Sequence, residues 1–149
     1  MKNILILLAI AIFIGYVTRF KDGDSFLMRS NGAQYEIRLY GIDAPEYKQP
    51  GGKNALNTLI KLIKNKSIKV ETKGSDRYKR LIGKVYVDGI YINLEMVKRG
   101  QAHWYKKYAK KDKDLQDAET EAQKAKRGIW SKPGVIKPAE WRKKKHNKK

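Results

Sequence analysis

Apolar and polar residues alternate at every second position through Tyr35-Glu36-Ile37-Arg38-Leu39. That period predicts a strand with Tyr35, Ile37 and Leu39 on one face and Arg38 on the other. Pro45 ends the strand: it holds Ala44 in extended backbone and cannot donate to a ladder, so Asp43 and Glu46 are displayed at a rigid strand end. Upstream, Tyr16 to Phe20 reads as a strand running into a turn at Asp22-Gly23, followed by Ser25 to Met28 and a second turn at Asn31-Gly32. With Tyr35 to Tyr40 these form a meander.

After the loop Gln49-Pro50-Gly51-Gly52 the period changes, and Ala55, Leu56, Leu59, Ile60 and Ile63 recur at helical spacing with lysines outside. Ile68 and Val70 alternate with Lys69 and Glu71, and Leu81, Val85 and Val87 share a strand that turns at Asp88-Gly89 into Ile90 to Ile92. Asn93 fits as the N-cap of a short helix through Val97, with Gly100 as its stop. Leu115, Ala118, Ala122, Ala125 and Ile129 form a further helical stripe, with Asp112 and Asp114 near its start and Lys124, Lys126 and Arg127 near its end, a charge order that suits the helix dipole. The five strands and about three helices do not alternate regularly. They predict an α+β domain, a small Greek-key barrel, which the pattern alone does not separate from other α+β folds.

The ends differ from this middle. Ile4 to Ile14 is an unbroken apolar run after Lys2, the length of a signal-peptide core and short for a bilayer span. Residues 1–15 are therefore expected to direct export or to tether the protein to a membrane; the alternative is that the run extends the first barrel strand of a cytosolic protein. From Lys132 to Lys149 the chain has Pro133, Pro138 and many lysines but no hydrophobic period, so a disordered basic tail is expected, with Trp141 able to stack on a base or to pack on the domain.

Composition narrows the partners. A chain of 149 residues suits one domain, and a net charge of +19 favours a polyanion, nucleic acid or an acidic membrane surface, over a small neutral substrate. With no cysteine and two histidines, thiolate chemistry and a histidine metal cluster are excluded. Any metal should be a hard cation held by oxygen, Ca²⁺ or Mg²⁺.

Three short stretches carry candidate chemistry: the acids of Lys21-Asp22-Gly23-Asp24-Ser25, the cation and carboxylates of Arg38 to Glu46, and the basic Asp76-Arg77-Tyr78-Lys79-Arg80. Hydrolysing a phosphodiester needs a positioned water, a base near it and positive charge on the oxygens that grow negative. In this order and at these separations the three blocks resemble the signature blocks of the staphylococcal nuclease (thermonuclease) family. The resemblance runs from about Gly15 to Ser131 and takes in Val87-Asp88-Gly89, Asn93, Arg99-Gly100-Gln101-Ala102 and Gly128-Ile129-Trp130. It implies an OB-fold barrel over residues 16–131.

The same resemblance implies that Asp24 and Asp43 bind Ca²⁺ with the Ala44 carbonyl as a further ligand, and that Asp22 stands nearby. Glu46 would orient or deprotonate the attacking water, Arg38 and Arg80 would hold the phosphate, and Tyr78 would touch it. Tyr105 and Tyr108, with Trp104, are candidates for a base-binding groove or for packing, and His103 is expected to be an exposed loop residue. Two positions depart from the family pattern: Ser25 stands for the usual threonine, and Lys79 for the usual glycine before the phosphate arginine. If that position needs positive φ, Lys79 costs roughly 1 kcal/mol. The implied activity is a monomeric, Ca²⁺-dependent endonuclease acting on DNA and RNA and leaving 3′-phosphates. A catalytically silent nucleic-acid-binding barrel is the first rival, and it gives no reason for Asp24, Asp43 and Glu46 to occur together. A cationic membrane-surface protein is the second.

Overall fold

A computed structural model describes residues 10–148. The meander that the alternation predicts is formed by β1 (Ile12–Asp22), β2 (Ser25–Ser30) and β3 (Ala33–Leu39), paired antiparallel in that order. β5 (Ile68–Ser75) pairs antiparallel with β1 and with β6 (Leu81–Val87), and a parallel pairing of β6 with β3 closes a five-stranded barrel. Two register shifts in β1, between Val17 and Arg19 and between Phe20 and Asp22, give that strand the bend a closed sheet requires. Asp88 and Gly89 have φ of 50° and 76°, the paired left-handed turn of a tight hairpin, and β7 (Ile90–Tyr91) pairs back on β6.

Inward-facing Phe26, Met28, Ile37, Leu39, Ile68, Val70 and Val85 fill the barrel. α1 (Gly52–Ile63) closes one side of this core with Ala55, Leu59 and Ile63. Each large side chain so buried contributes about 1.5–3 kcal/mol. α2 (Ile92–Lys98) and α3 (Lys113–Lys124) pack on each other, and the Asp112 carboxylate caps α3 by accepting from the Leu115 N–H at 3.2 Å.

Asn93 does not cap α2. The helix has Tyr91 at its N-cap position and starts two residues earlier than a cap at Asn93 implies, and the buried Asn93 amide instead donates to the carbonyls of Tyr40 (2.9 Å) and Gly83 (3.1 Å) and accepts from the Val85 N–H (2.9 Å). It thus fastens α2 to β6 and to the end of β3. A two-stranded ribbon of β4 (Ile42–Asp43) and β8 (His103–Trp104) continues from there.

Both ends differ from expectation in instructive ways. Ile12 to Gly15 pair with Glu71 to Ile68 as barrel strand, so the barrel starts before residue 16; residues 4–9, on which the export or anchor reading chiefly rests, lie outside the described residues. Among the described residues no helix is long and apolar enough to cross a membrane. The tail, expected to be disordered, carries α4 (Pro138–His146), with Pro138 in its first turn, Glu140 near its start and Lys143 to His146 at its end. Proline at the helix start and that charge order favour a helix locally. What docks it is polar: the Gln49 side chain donates to the Ile136 carbonyl at 2.7 Å, and Arg142 meets Glu46 and Asp43.

Candidate active site

The Asp22–Ser25 turn is built by its own first residue. Asp22 Oδ1 accepts from the Asp24 N–H (3.0 Å) and the Ser25 hydroxyl (2.9 Å), a side-chain-to-backbone turn that short acids favour. A Cβ on Gly23 would lie 2.7 Å from that of Ala55 and 3.0 Å from that of Ala44, so only glycine lets the turn seat between α1 and the residue after β4. Asp24 is thereby brought to the end of β4, where its Oδ2 accepts from the Ala44 N–H at 2.7 Å. Asp22 serves the turn, while Asp24 and Asp43 point to a common place.

Arg38 defines that place. Its Nη1 donates to the Leu39 carbonyl at 2.7 Å, which fixes the guanidinium, and its Nη2 lies 3.4 Å from both Asp24 Oδ2 and Asp43 Oδ1. Contacts of that length bring charges together without closing short hydrogen bonds. Asp24 and Asp43 are 5% and 4% exposed. Burial pushes the Asp24 carboxyl well above its usual range despite Arg38, with Asp22 and Asp43 pushing the same way. Burial also raises Asp43, against the pull of Arg38 and Arg142. Two converging carboxylates resisting their own ionisation are suited to a further cation. The donors are hard oxygens, which fit Ca²⁺ or Mg²⁺. Among the described residues no group of three His, Cys, Asp or Glu side chains forms a metal cage, so such an ion would take its other ligands from carbonyls, water or substrate.

Glu46 stands on the next turn. Its N–H donates to Gln49 Oε1 (3.1 Å) and its carbonyl accepts from the Gln49 N–H (2.8 Å). A Cβ at Gly52 would come within 1.9 Å of that carbonyl, so the start of α1 can press on the turn only as glycine. The Glu46 carboxylate is half-buried and meets Arg142 Nη1 at 2.6 Å, while Arg142 Nη2 lies 3.4 Å from Asp43 Oδ2. Partial burial works against the Arg142 charge, but Glu46 and Asp43 hold it more firmly protonated than usual.

The third block forms a separate loop. Asp76 Oδ1 accepts from the N–H groups of Tyr78 (2.9 Å) and Arg80 (3.0 Å), and its Oδ2 from Arg80 Nε (2.8 Å). Burial opposes ionisation of Asp76, but these bonds from Arg80 and Tyr78 outweigh it and hold the carboxyl below its ordinary value. Lys79 has φ of 61°, so the position is left-handed and the lysine carries the expected strain. Arg80 precedes Leu81, which pairs with Ile37 on β3; its Nε is committed to Asp76, and no ion pair joins it to the acids around Arg38 among the described residues. Tyr78 is exposed, with the guanidinium carbons of Arg77 and Arg80 4.9 and 5.5 Å from its ring centre.

Tyr105 and Tyr108 meet edge to face, with ring centroids 5.0 Å apart. Tyr108 is exposed and, with Tyr40 and Lys107, lines an open groove of about 620 Å³; Tyr105 does not line it. His103 is not an exposed loop residue. It is 4% exposed in β8, and burial, assisted by Lys137, lowers its pKa to about 4, so it is neutral at pH 7 and no candidate acid.

Three participants escape a reading of the sequence. Asp76 had a local signal, an acid two and four residues before the amides it organises. Gln49 had one too, an amide three residues after the Glu46 it braces, whereas Arg142 had none, since it lies 96 residues from Glu46 and 99 from Asp43.

Comparison with known proteins places this geometry. The family model described as staphylococcal nuclease homologue matches residues 36–132. A probable staphylococcal-like nuclease of Oryza sativa subsp. japonica is 41% identical over 114 residues, covering 76% of this chain and 34% of the rice protein. Proteins described as uncharacterized endonucleases are 39% identical over 127 residues in Haemophilus influenzae, covering 85% of this chain and 71% of that one, and 37% identical over 129 residues in Escherichia coli O157:H7, covering 86% and 84%. The chain thus spans about a third of the length of the rice relatives it matches and over two thirds of the bacterial ones. The matched region contains Arg38, Asp43, Glu46, Tyr78 and Arg80, and this chain belongs to the staphylococcal nuclease homologue family.

Proposed function

We propose that this chain is a Ca²⁺-dependent endonuclease that hydrolyses phosphodiester bonds of DNA and RNA with little sequence preference, acts as a monomer and leaves 3′-phosphate ends. The observation that carries the reading is the convergence of buried Asp24 and Asp43 on one Arg38 guanidinium, with Glu46 on the adjoining turn. A binding module that only attracts phosphate has no use for buried acids at its cationic centre.

In this reading Asp24, Asp43 and the Ala44 carbonyl hold Ca²⁺. Held there, Ca²⁺ would supply positive charge against the charge that develops on the phosphate. Arg38 lies beside the same carboxylates, so a phosphate entering there is gripped by its guanidinium, and charge building on the non-bridging oxygens is neutralised in place. Glu46 accepts the proton of the attacking water. To do so it must exchange its contact with Arg142 for one with the water, which its half-exposed position permits. Among the described residues the Arg80 guanidinium commits its Nε alone, to Asp76, so its two Nη groups are left to clamp the phosphate from the β6 side, with Tyr78 beside them.

The reading extends to an exported or membrane-held, extracytoplasmic location. Ile10, Ile12, Ile14 and Tyr16 are each more than half exposed, an apolar stripe continuing from the apolar run at the start of the sequence. Fractionation of cells carrying the tagged full chain tests this, and recovery solely in the soluble cytoplasm would overturn it.

The deciding experiment for the activity is cleavage of end-labelled single-stranded DNA and RNA with Ca²⁺ or with a chelator, alongside Glu46→Gln. Cleavage that needs Ca²⁺, products that a 3′-phosphatase must treat before extension, and a loss of about 10²-fold or more in the variant are expected. Intact nucleic acid under all conditions would leave a silent binding barrel.

A further inference from the structure

A second groove opens at the turn that follows Glu46, apart from the one at Tyr108. It spans about 650 Å³ between α4 and the turn at 47–51 with the start of α1, and it is lined by Tyr47, Lys48, Lys53, Asn54 and Trp141 among others. That volume is within the span of small-ligand sites, about 300–1,000 Å³. Sequence adjacency ties it to the candidate chemistry on both walls: Tyr47 follows Glu46, and Trp141 precedes Arg142, which contacts Glu46 and Asp43. The bond from Gln49 to the Ile136 carbonyl holds the two walls together.

The lining is chemically mixed in a way that selects an occupant. Tyr47 is 48% exposed, and Lys53 Nζ lies 5.8 Å from its ring centre. The Trp141 indole N–H is buried without an acceptor among the described residues, so the ring offers the groove carbon surface, suited to stacking and not to hydrogen bonding. Exposed Lys48 and Lys53 add positive charge, and Asn54 adds an amide able to meet a base edge. Aromatic faces next to lysines are what a single-stranded nucleic acid binds without regard to sequence.

We propose that this groove is a nucleotide subsite of the nuclease, in which the nucleotide next to the scissile phosphate stacks on Tyr47 and Trp141 while Lys48 and Lys53 meet its outer phosphate. The proposal takes its substrate from the nuclease reading above. It makes α4 part of the enzyme and not a solvated end: without it the groove loses one wall.

Two measurements on the full chain test it. In the first, KM is compared for an oligothymidylate series and for bis(p-nitrophenyl) phosphate, which is too small to fill a neighbouring subsite. Trp141→Ala and Tyr47→Ala should each raise KM for the longer oligonucleotides by about tenfold more than for the small diester, as loss of a stacked base predicts, and Trp141→Phe should restore most of it. In the second, Glu46→Gln protein is irradiated with an oligonucleotide carrying 5-iodouracil, and adducts on Tyr47 or Trp141 are expected. Wild-type cleavage with equal KM changes on all substrates and no adduct at either residue would overturn the subsite while leaving the nuclease intact. Adducts at these residues with no cleavage by the wild type would overturn the nuclease reading and support the subsite as a binding site. Circular dichroism melts of each variant establish that a changed KM comes from folded protein.

Discussion

Arg38 and Arg142 both reach Asp43, from opposite kinds of structure. Arg38 projects from a barrel strand, its side chain 12% exposed and its Nη1 pinned on the Leu39 carbonyl. Arg142 projects from the tail helix, 41% exposed, and among the described residues its ion pairs are with Glu46 and Asp43 alone. Removing water from a pair of charges makes each depend on the other, whereas a solvated pair exchanges partners at small cost. The barrel half of the site is therefore fixed, and the tail half is demountable.

Arg38→Ala should show the largest effect. It leaves two buried aspartates facing each other without their shared cation, and breaking a buried charge cluster costs about 3–5 kcal/mol. A much lowered thermal midpoint without Ca²⁺, partly recovered by adding it, is expected, together with activity reduced by at least about 10²-fold. A variant as stable as the wild type would show that the barrel half is no more fixed than the tail half.

Asp76→Asn comes next, because Arg80 belongs to neither half. It is held by one carboxylate that accepts three hydrogen bonds. Neutralising that acceptor should lower activity by about tenfold, the order of one charge-assisted hydrogen bond, with little change in the melt. The pH dependence has a definite sign. The folded pKa of Asp76 is below its ordinary value, so its contribution is complete above about pH 4 and is lost as pH falls through the depressed value. Protection of the Tyr78 and Arg80 amides against hydrogen exchange, relative to the intrinsic rate at each pH, should fall over that acid range in the wild type and already be low in the variant.

The strands of the barrel and the display of Arg38, Asp43 and Glu46 were legible in the sequence because they rest on local rules, while closure into an OB barrel came only from the family resemblance. Alternation in Tyr35 to Leu39, the break at Pro45 and the Asp88-Gly89 turn specify strands and their ends, and they set Arg38, Asp43 and Glu46 in place. At Lys79 the family resemblance, which puts glycine before Arg80, raised the condition of positive φ, and the backbone meets it. Where two or more roles suit one residue type, the sequence could not choose. Asn93 at a helix start is an excellent cap by type, yet three buried backbone groups of the barrel took its amide. His103 had no partner in sequence, and its burial comes from the pairing of β8 with β4, a contact between segments about sixty residues apart. The tail helix was missed for a third reason. It has no apolar stripe to detect, and it docks by polar contacts to Gln49, Glu46 and Asp43 that no period along the chain encodes.

Lys79→Gly should have a smaller effect, a gain of about 1 kcal/mol in stability from relief of the left-handed strain, measured by thermal or urea unfolding. If activity rises as well, the lysine was displacing Arg80; if it falls, the Lys79 ammonium meets the phosphate.

Arg142→Ala is the counterpart of Arg38→Ala and should alter stability least, by under about 1 kcal/mol, because its ion pairs are half in water. Its effect should appear in the affinity for cations. The Arg142 guanidinium is engaged with one oxygen of Asp43 and one of Glu46, so an incoming divalent ion competes with a charge already there. Without Arg142 the apparent affinity for Ca²⁺, or for Tb³⁺ read by sensitised luminescence, should tighten by a few-fold, whereas Arg142→Lys should stay near the wild type. The contrast with Arg38 then becomes quantitative: removing one arginine lowers the thermal midpoint, and removing the other shifts the metal titration. A variant with unchanged cation affinity would mean that Arg142 yields its place at no measurable cost, and that the tail half is a substrate wall without influence on the acids.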